Sequence, residues 1–160
     1  MAAHRVENAC ERRRTMDRSL QYILHVVIPL LIGGAIYIIW RSETLQMFRW
    51  LEFVDLDSPV NKLRDIYGGQ NGQLPQWLLY SLPDAAWLYS FAMYMGLVWI
   101  DAKPRVVFSF MAIGPTLGLG GELGQGFRVV PGTFDLVDLI FLCVASILAA
   151  LVVINQRIIR

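Results

Sequence analysis

Two pairs of polar residues stand three apart in the last third of the chain: Glu122 with Gln125, and Asp135 with Asp138. Arg128 lies between the pairs. Residues three apart on a helix share a face, so each pair can present its polar groups together. Arg128 can grip a carboxylate through two parallel hydrogen bonds and stay charged while doing so. Carboxylates gathered in this way can act as acid and base, or offer oxygen ligands to a divalent cation. Asp84, the single charge in its own apolar run, is a further candidate. A lone carboxylate away from water needs a partner or a proton. Neither His4 nor His25 lies near the set in sequence, and no cysteine joins it. Zinc chemistry and a Ser-His-Asp arrangement are therefore unsupported, and no metal or other cofactor is expected.

On the residues alone, three uses of this set stay open. In the first it is a structural network, with Arg128 and the Gln125 amide satisfying carboxylates that would otherwise be stranded. Asp135 also suits a helix N-cap after Pro131-Gly132-Thr133. In the second, Asp84, Glu122, Gln125, Arg128, Asp135 and Asp138 bind the polar head of an amphiphilic or glycan-containing molecule. In the third the set is catalytic, with Glu122 and Asp138 as acid, base or cation ligands. All three expect Glu122, Arg128 and Asp138 in one hydrogen-bonded cluster, because Arg128 is the cation nearest in sequence.

The elements that must hold these groups are apolar runs. Hydrophobic residues make up 56% of the 160 and charged ones 17%, well below the quarter usual in soluble domains. The runs are long enough to cross a bilayer, which takes about 20 residues of helix. The expected fold is an all-α integral membrane protein, one domain over 20–154, with four transmembrane helices. The spans are read at about 20–40, 77–100, 106–123 and 136–154. A basic tail precedes them (1–19) and a short one follows (155–160). The first run is too long for a signal-peptide core, and no A-x-A pattern follows it. The tail lacks interleaved aromatics, so no nucleic-acid partner is expected. Cys10 and Cys143 are not expected to pair. His25 reads as a satisfied or interfacial histidine.

The 41–76 loop between spans one and two is expected to hold one or two interfacial amphipathic helices. Leu45, Phe48 and Leu51 recur at helical spacing against Glu43, Gln46, Arg49 and Glu52. Ser58-Pro59 supplies a helix start and Gly68-Gly69 a stop. Trp77, Tyr80 and Trp99 suit the aromatic belts of span two. The pairs Gly114/Gly118 and Gly120/Gly124 in span three, and Ala145/Ala149 in span four, would let helices approach closely, within the bundle or in a homo- or hetero-oligomer.

Charge sets the orientation. Arg5, Arg12, Arg13, Arg14, Arg18, Lys103, Arg105, Arg157 and Arg160 fall on one side. Arg41, Arg49, Lys62, Arg64 and Arg128 fall on the other. By the positive-inside rule both termini are cytoplasmic and the acidic set faces outward.

Glu122-x-x-Gln125-x-x-Arg128, followed by Asp135-x-x-Asp138 opening the last span, resembles the signature of VanZ-like membrane proteins, a family named for a protein associated with teicoplanin resistance. The resemblance runs from Gly118 to Leu151, and Ser81-Leu82-Pro83-Asp84 with Trp87 is compatible with it. It implies a small multi-span protein of the bacterial cytoplasmic membrane, connected with the cell envelope. It implies no particular reaction, so whether the chain is an enzyme stays open.

Overall fold

The computed structural model describes residues 18–42, 46–53, 55, 57–70 and 74–158. The basic tail before Arg18, the Asn71-Gly72 turn and the last two residues lie outside the described residues. Among those described, the chain is helical and forms no strand. In chain order the helices are α1 (Arg18–Trp40), α2 (Gln46–Phe53), α3 (Asp57–Tyr67), α4 (Gln76–Leu79), α5 (Ser81–Val98), α6 (Pro104–Met111), α7 (Ile113–Gly126) and α8 (Leu136–Ile158).

Three helical stretches are long and apolar enough to cross a membrane: Arg18–Trp40, Pro104–Gly126 and Leu136–Ile158. The fourth expected span, α5, is absent from that set. It carries Ser81, Pro83, Asp84 and Ser90 and is the central helix, packed by α1, α6, α7 and α8. Ser81 and Ser90 are buried, and the Ser90 hydroxyl donates to the Ala86 carbonyl at 2.8 Å. A helix enclosed by protein needs less apolar surface than one facing outward.

Prolines shape three of the long helices, because each lacks the N–H that would bond four residues back. Pro29 leaves the His25 carbonyl without that bond, and the ladder widens into a π-helical stretch over Ile23–Val27. The Ile28 N–H then reaches the Ile23 carbonyl. Pro83 and Pro115 mark two breaks. The expected 77–100 span divides at Tyr80, and the third divides at Ala112.

Small residues let the core close. Ala92, Met93, Leu97, Ile100, Val107, Met111, Ala149 and Val153 form one buried cluster, joining α5, α6 and α8. Ala85, Leu88, Leu142 and Ala145 form a second, between α5 and α8. Gly96 sits where three helices meet; an added Cβ would lie 2.7 Å from Val153 Cγ2 and 3.0 Å from Met111 Sδ. Gly33 gives α1 the same access to α5, with the Trp87 indole lying against it. Of the expected glycine pairs, Gly114 meets Phe91 and Gly118 meets Leu88, whereas Gly120 faces open space.

Polar contacts tie the two ends of the bundle. At one end Arg18 pairs with Asp101 at 2.7 Å. Arg157 donates to the carbonyls of Ile100 and Ala102 at 2.6 and 3.0 Å, satisfying groups left over where α5 stops. Both chain-terminal helix ends thus meet the same turn. At the other end, Arg64 of α3 donates to the Ile38 carbonyl at 2.6 Å, which caps the last turn of α1. The α3 helix stops at Tyr67, where Gly68-Gly69 predict, but it begins at Asp57, so Ser58 and Pro59 lie inside its first turn rather than at N-cap and N1. Trp50, Phe53, Leu63, Ile66 and Tyr67 of α2 and α3 stay exposed.

Candidate functional site

Five helix ends converge on the end of the bundle opposite the Arg18–Asp101 pair. Asp84 lies in the first turn of α5, Glu122 and Gln125 in the last turns of α7, and Asp138 in the first turn of α8. Arg41 directly follows α1, and α4 stands beside it.

Between α5, α7 and α8 lies a cavity of about 460 Å³. Asp84, Glu122 and Gln125 form its polar part, and Trp87, Leu88, Phe91, Leu117 and Leu142 its apolar part. Gly114, Gly118 and Gly121 make room for it along α7. On α5 the lining residues 84, 87, 88 and 91 follow the spacing of one helical face, as do 114, 117, 118, 121, 122 and 125 on α7. That regularity was the sequence signal for Trp87, Phe91 and Leu117, which the polar residues alone do not reveal. Trp87 is fixed from behind. Its indole N–H donates to the Leu30 carbonyl at 3.3 Å, and its ring lies 5.0 Å from that of Tyr37.

The remaining acidic residues take different positions. Asp135 is exposed, and its Oδ1 accepts from the Val137 N–H at 2.8 Å, so it caps α8. Its own N–H reaches Glu122 Oε2 over a long 3.4 Å. Asp135 also borders a smaller cavity of about 220 Å³, with Gln76, Trp77, Tyr80, Ser81 and Val137. Asp138 is half-buried, and its Oδ1 is enclosed with no hydrogen-bond partner. Asp138 and Glu122 both lie within electrostatic reach of Asp84. Among the described residues, no group of three or more His, Cys, Asp or Glu is arranged to hold a metal ion.

Arg128 does not join this cluster. It is exposed, and among the described residues it pairs with no carboxylate. The reason lies in how α7 ends. Arg128 N–H bonds the Gln125 carbonyl at 3.0 Å and Val129 N–H bonds the Gly124 carbonyl at 2.8 Å. This is a Schellman end, and it puts Arg128 in the left-handed region at φ 58°. A left-handed residue other than glycine costs about 1–2 kcal/mol. Arg128→Gly is therefore expected to stabilise the protein in detergent by about 0.5–1 kcal/mol, measured by chemical unfolding. A loss of stability would mean that the guanidinium does hold the cluster.

Among the described residues, the cation within electrostatic reach of Asp84 is Arg41 instead. Its guanidinium lies 5.2 Å from the Tyr37 ring and 4.6 Å from the Tyr80 ring, with Nε enclosed and unpartnered. It stops short of an ion pair with Asp84. Apart from this end, His25 is satisfied within the bundle: its Nδ1 lies 2.8 Å from the Tyr89 hydroxyl.

Gly132 is more constrained than its loop position suggests. Its φ is +139°, and an added Cβ would lie 2.7 Å from the Gln125 carboxamide. Glycine there lets the 127–135 loop fold over Gln125.

Compared with known proteins, the chain matches no family model, no curated protein and no solved structure.

Proposed function

We propose that the chain is a VanZ-like multi-pass protein of the bacterial cytoplasmic membrane that binds an amphiphilic or glycan-containing molecule at an outward-facing polar cluster. In this reading α1, α4 with α5, α6 with α7, and α8 make four spans, and both termini are cytoplasmic. Helices α2 and α3 lie in the outer interface, their exposed Trp50, Phe53, Ile66 and Tyr67 directed at lipid. The link to teicoplanin-type resistance follows from the Glu122-x-x-Gln125-x-x-Arg128 resemblance.

The observation that carries the binding reading is the division of the cavity. One part offers two carboxylates and an amide, and the rest is aromatic and aliphatic. Its volume falls within the range of small-ligand pockets. Leu117 is 72% exposed, so the apolar part opens sideways, where an acyl chain could continue into the bilayer. An amphiphile matches both halves. A purely structural network would leave neither a cavity at the carboxylates nor an enclosed, unpartnered oxygen on Asp138.

Gly121 provides the test. It lines the cavity, and an added Cβ would meet nothing within 4 Å. Gly121→Phe is expected to fill the cavity and leave the fold intact. Native mass spectrometry of protein released from mild detergent should find amphiphiles retained by the wild type and lost from this variant. Identical retention by a folded Gly121→Phe protein would sink the reading.

A further inference from the structure

The charge around the cavity selects among amphiphiles. Asp84 and Glu122 line it, and among the described residues no Lys, Arg or His does. Asp138 adds a third carboxylate within reach of Asp84. Against these three, among the described residues, stands the guanidinium of Arg41, held by two tyrosine rings outside the cavity wall. Arg128, also basic and close in sequence, is exposed and does not line the cavity. An excess of carboxylates at a membrane boundary is costly unless a positive charge or protons balance it. Trp87 and Phe91 form the adjoining wall, and aromatic faces attract ammonium groups.

We propose that the head group taken by this cavity is an ammonium, carried on an alkyl chain that lies along Leu88, Phe91 and Leu117. The proposal rests on the amphiphile-site reading above and narrows it to a cationic class. An anionic head would meet two carboxylates at the cavity wall. A sugar head would gain hydrogen bonds from Glu122 and Gln125 but leave the charge unbalanced.

Purified full-length protein in an uncharged polyoxyethylene detergent can be titrated with three probes sharing a twelve-carbon chain: dodecylammonium, dodecyl glucoside and dodecanoate. Native mass spectrometry counts the probe bound per protein. Dodecylammonium should bind one to one, at least tenfold more tightly than either other probe. Glu122→Gln and Asp84→Asn should each cut that preference at least tenfold, and Gly121→Phe should abolish it. Two variants guard against a packing defect in either one; circular dichroism confirms that each is folded.

Equal affinity for dodecylammonium and dodecyl glucoside, both lost in Gly121→Phe, would overturn the ammonium assignment and leave an amphiphile site. Preference for dodecanoate would overturn it as well. A preference for dodecylammonium that survives both carboxylate variants would do the same. Binding of every probe unaffected by Gly121→Phe would remove the site itself.

Discussion

Gly96→Leu is expected to be the most damaging single substitution in the bundle. The residue is buried where α5, α6 and α8 meet, in contact with the larger of the two core clusters. The first carbon of any side chain would fall 2.7 Å from Val153 Cγ2, and Val153 is itself fully buried. Met111 can swing its flexible thioether aside, but Val153 has no free rotamer space behind it. Relief must come from moving α8 away from α5, which opens the contact between Ala92, Ala149 and their neighbours. Close backbone approach through small residues is what holds helices together in lipid, where no hydrophobic force separates one apolar surface from another. The cost should reach about 3 kcal/mol, the upper part of the usual overpacking range. Gly34→Leu is the control. It adds the same side chain to α1 where nothing lies within 4 Å. It should change stability by about 1 kcal/mol or less, and in the favourable direction, because glycine is a poor helix former. Unfolding in mixed micelles, followed by circular dichroism, separates the two. Equal effects would mean that Gly96 is not at a helix junction.

The same comparison changes what is expected of Gly118 and Gly132. The 114/118 spacing predicts that Gly118→Leu harms the bundle more than Gly132→Leu. The Gly118 neighbour is the flexible end of Leu88, which can yield, and the cavity adjoins it. Gly132 adopts a backbone conformation that side chains resist. Sequence spacing identified a possible helix contact but carried no sign of the φ angle in a neighbouring loop.

That contrast holds across the molecule. Helix ends were legible where local chemistry sets them: the Gly68-Gly69 stop and the Asp135 cap are each a matter of a few adjacent residues, whereas α3 starts at Asp57, before the Ser58 expected to cap it. The apolar runs were legible because their length is set by composition. The breaks at Tyr80 and Ala112 were missed, although Pro83 and Pro115 are plain in the sequence, because lipid-embedded helices often absorb a proline. The meeting of Asp84, Glu122 and Gln125 at one cavity was legible too, since long helices joined by short turns alternate in direction and bring those helix ends together. The exposure of Arg128 was not. Proximity in sequence suggested a partner for the carboxylates, and a left-handed turn at the end of α7 decided otherwise. Arg41 was hidden for the opposite reason. Its neighbours Tyr80 and Asp84 lie beyond three short helices, α2, α3 and α4, and only packing reveals them.

Arg41 and Arg128 therefore exchange their expected importance, and this is the second large effect. Arg41→Met keeps much of the length and apolar stem of the side chain but removes the charge. It should lower stability by about 2 kcal/mol, below the roughly 3–5 kcal/mol for breaking a contacting buried pair, because no ion pair is formed. Two losses contribute. The rings of Tyr37 and Tyr80 lose a cation held at 5.2 and 4.6 Å. Asp84 loses the positive charge of Arg41 while Glu122 and Asp138 remain within its reach. The second loss can be isolated by a double-mutant cycle. Asp84→Asn removes the charge that Arg41 offsets, so Arg41→Met should cost about 1 kcal/mol less in that background. Arg128→Ala should stay within about 0.5 kcal/mol of wild type, as expected for an exposed residue without a partner. Additive effects of Arg41→Met and Asp84→Asn would show that Arg41 acts only through the tyrosines. A larger loss from Arg128→Ala than from Arg41→Met would return the role of counter-charge to Arg128, and with it the single hydrogen-bonded cluster that the spacing of Glu122, Arg128 and Asp138 predicts.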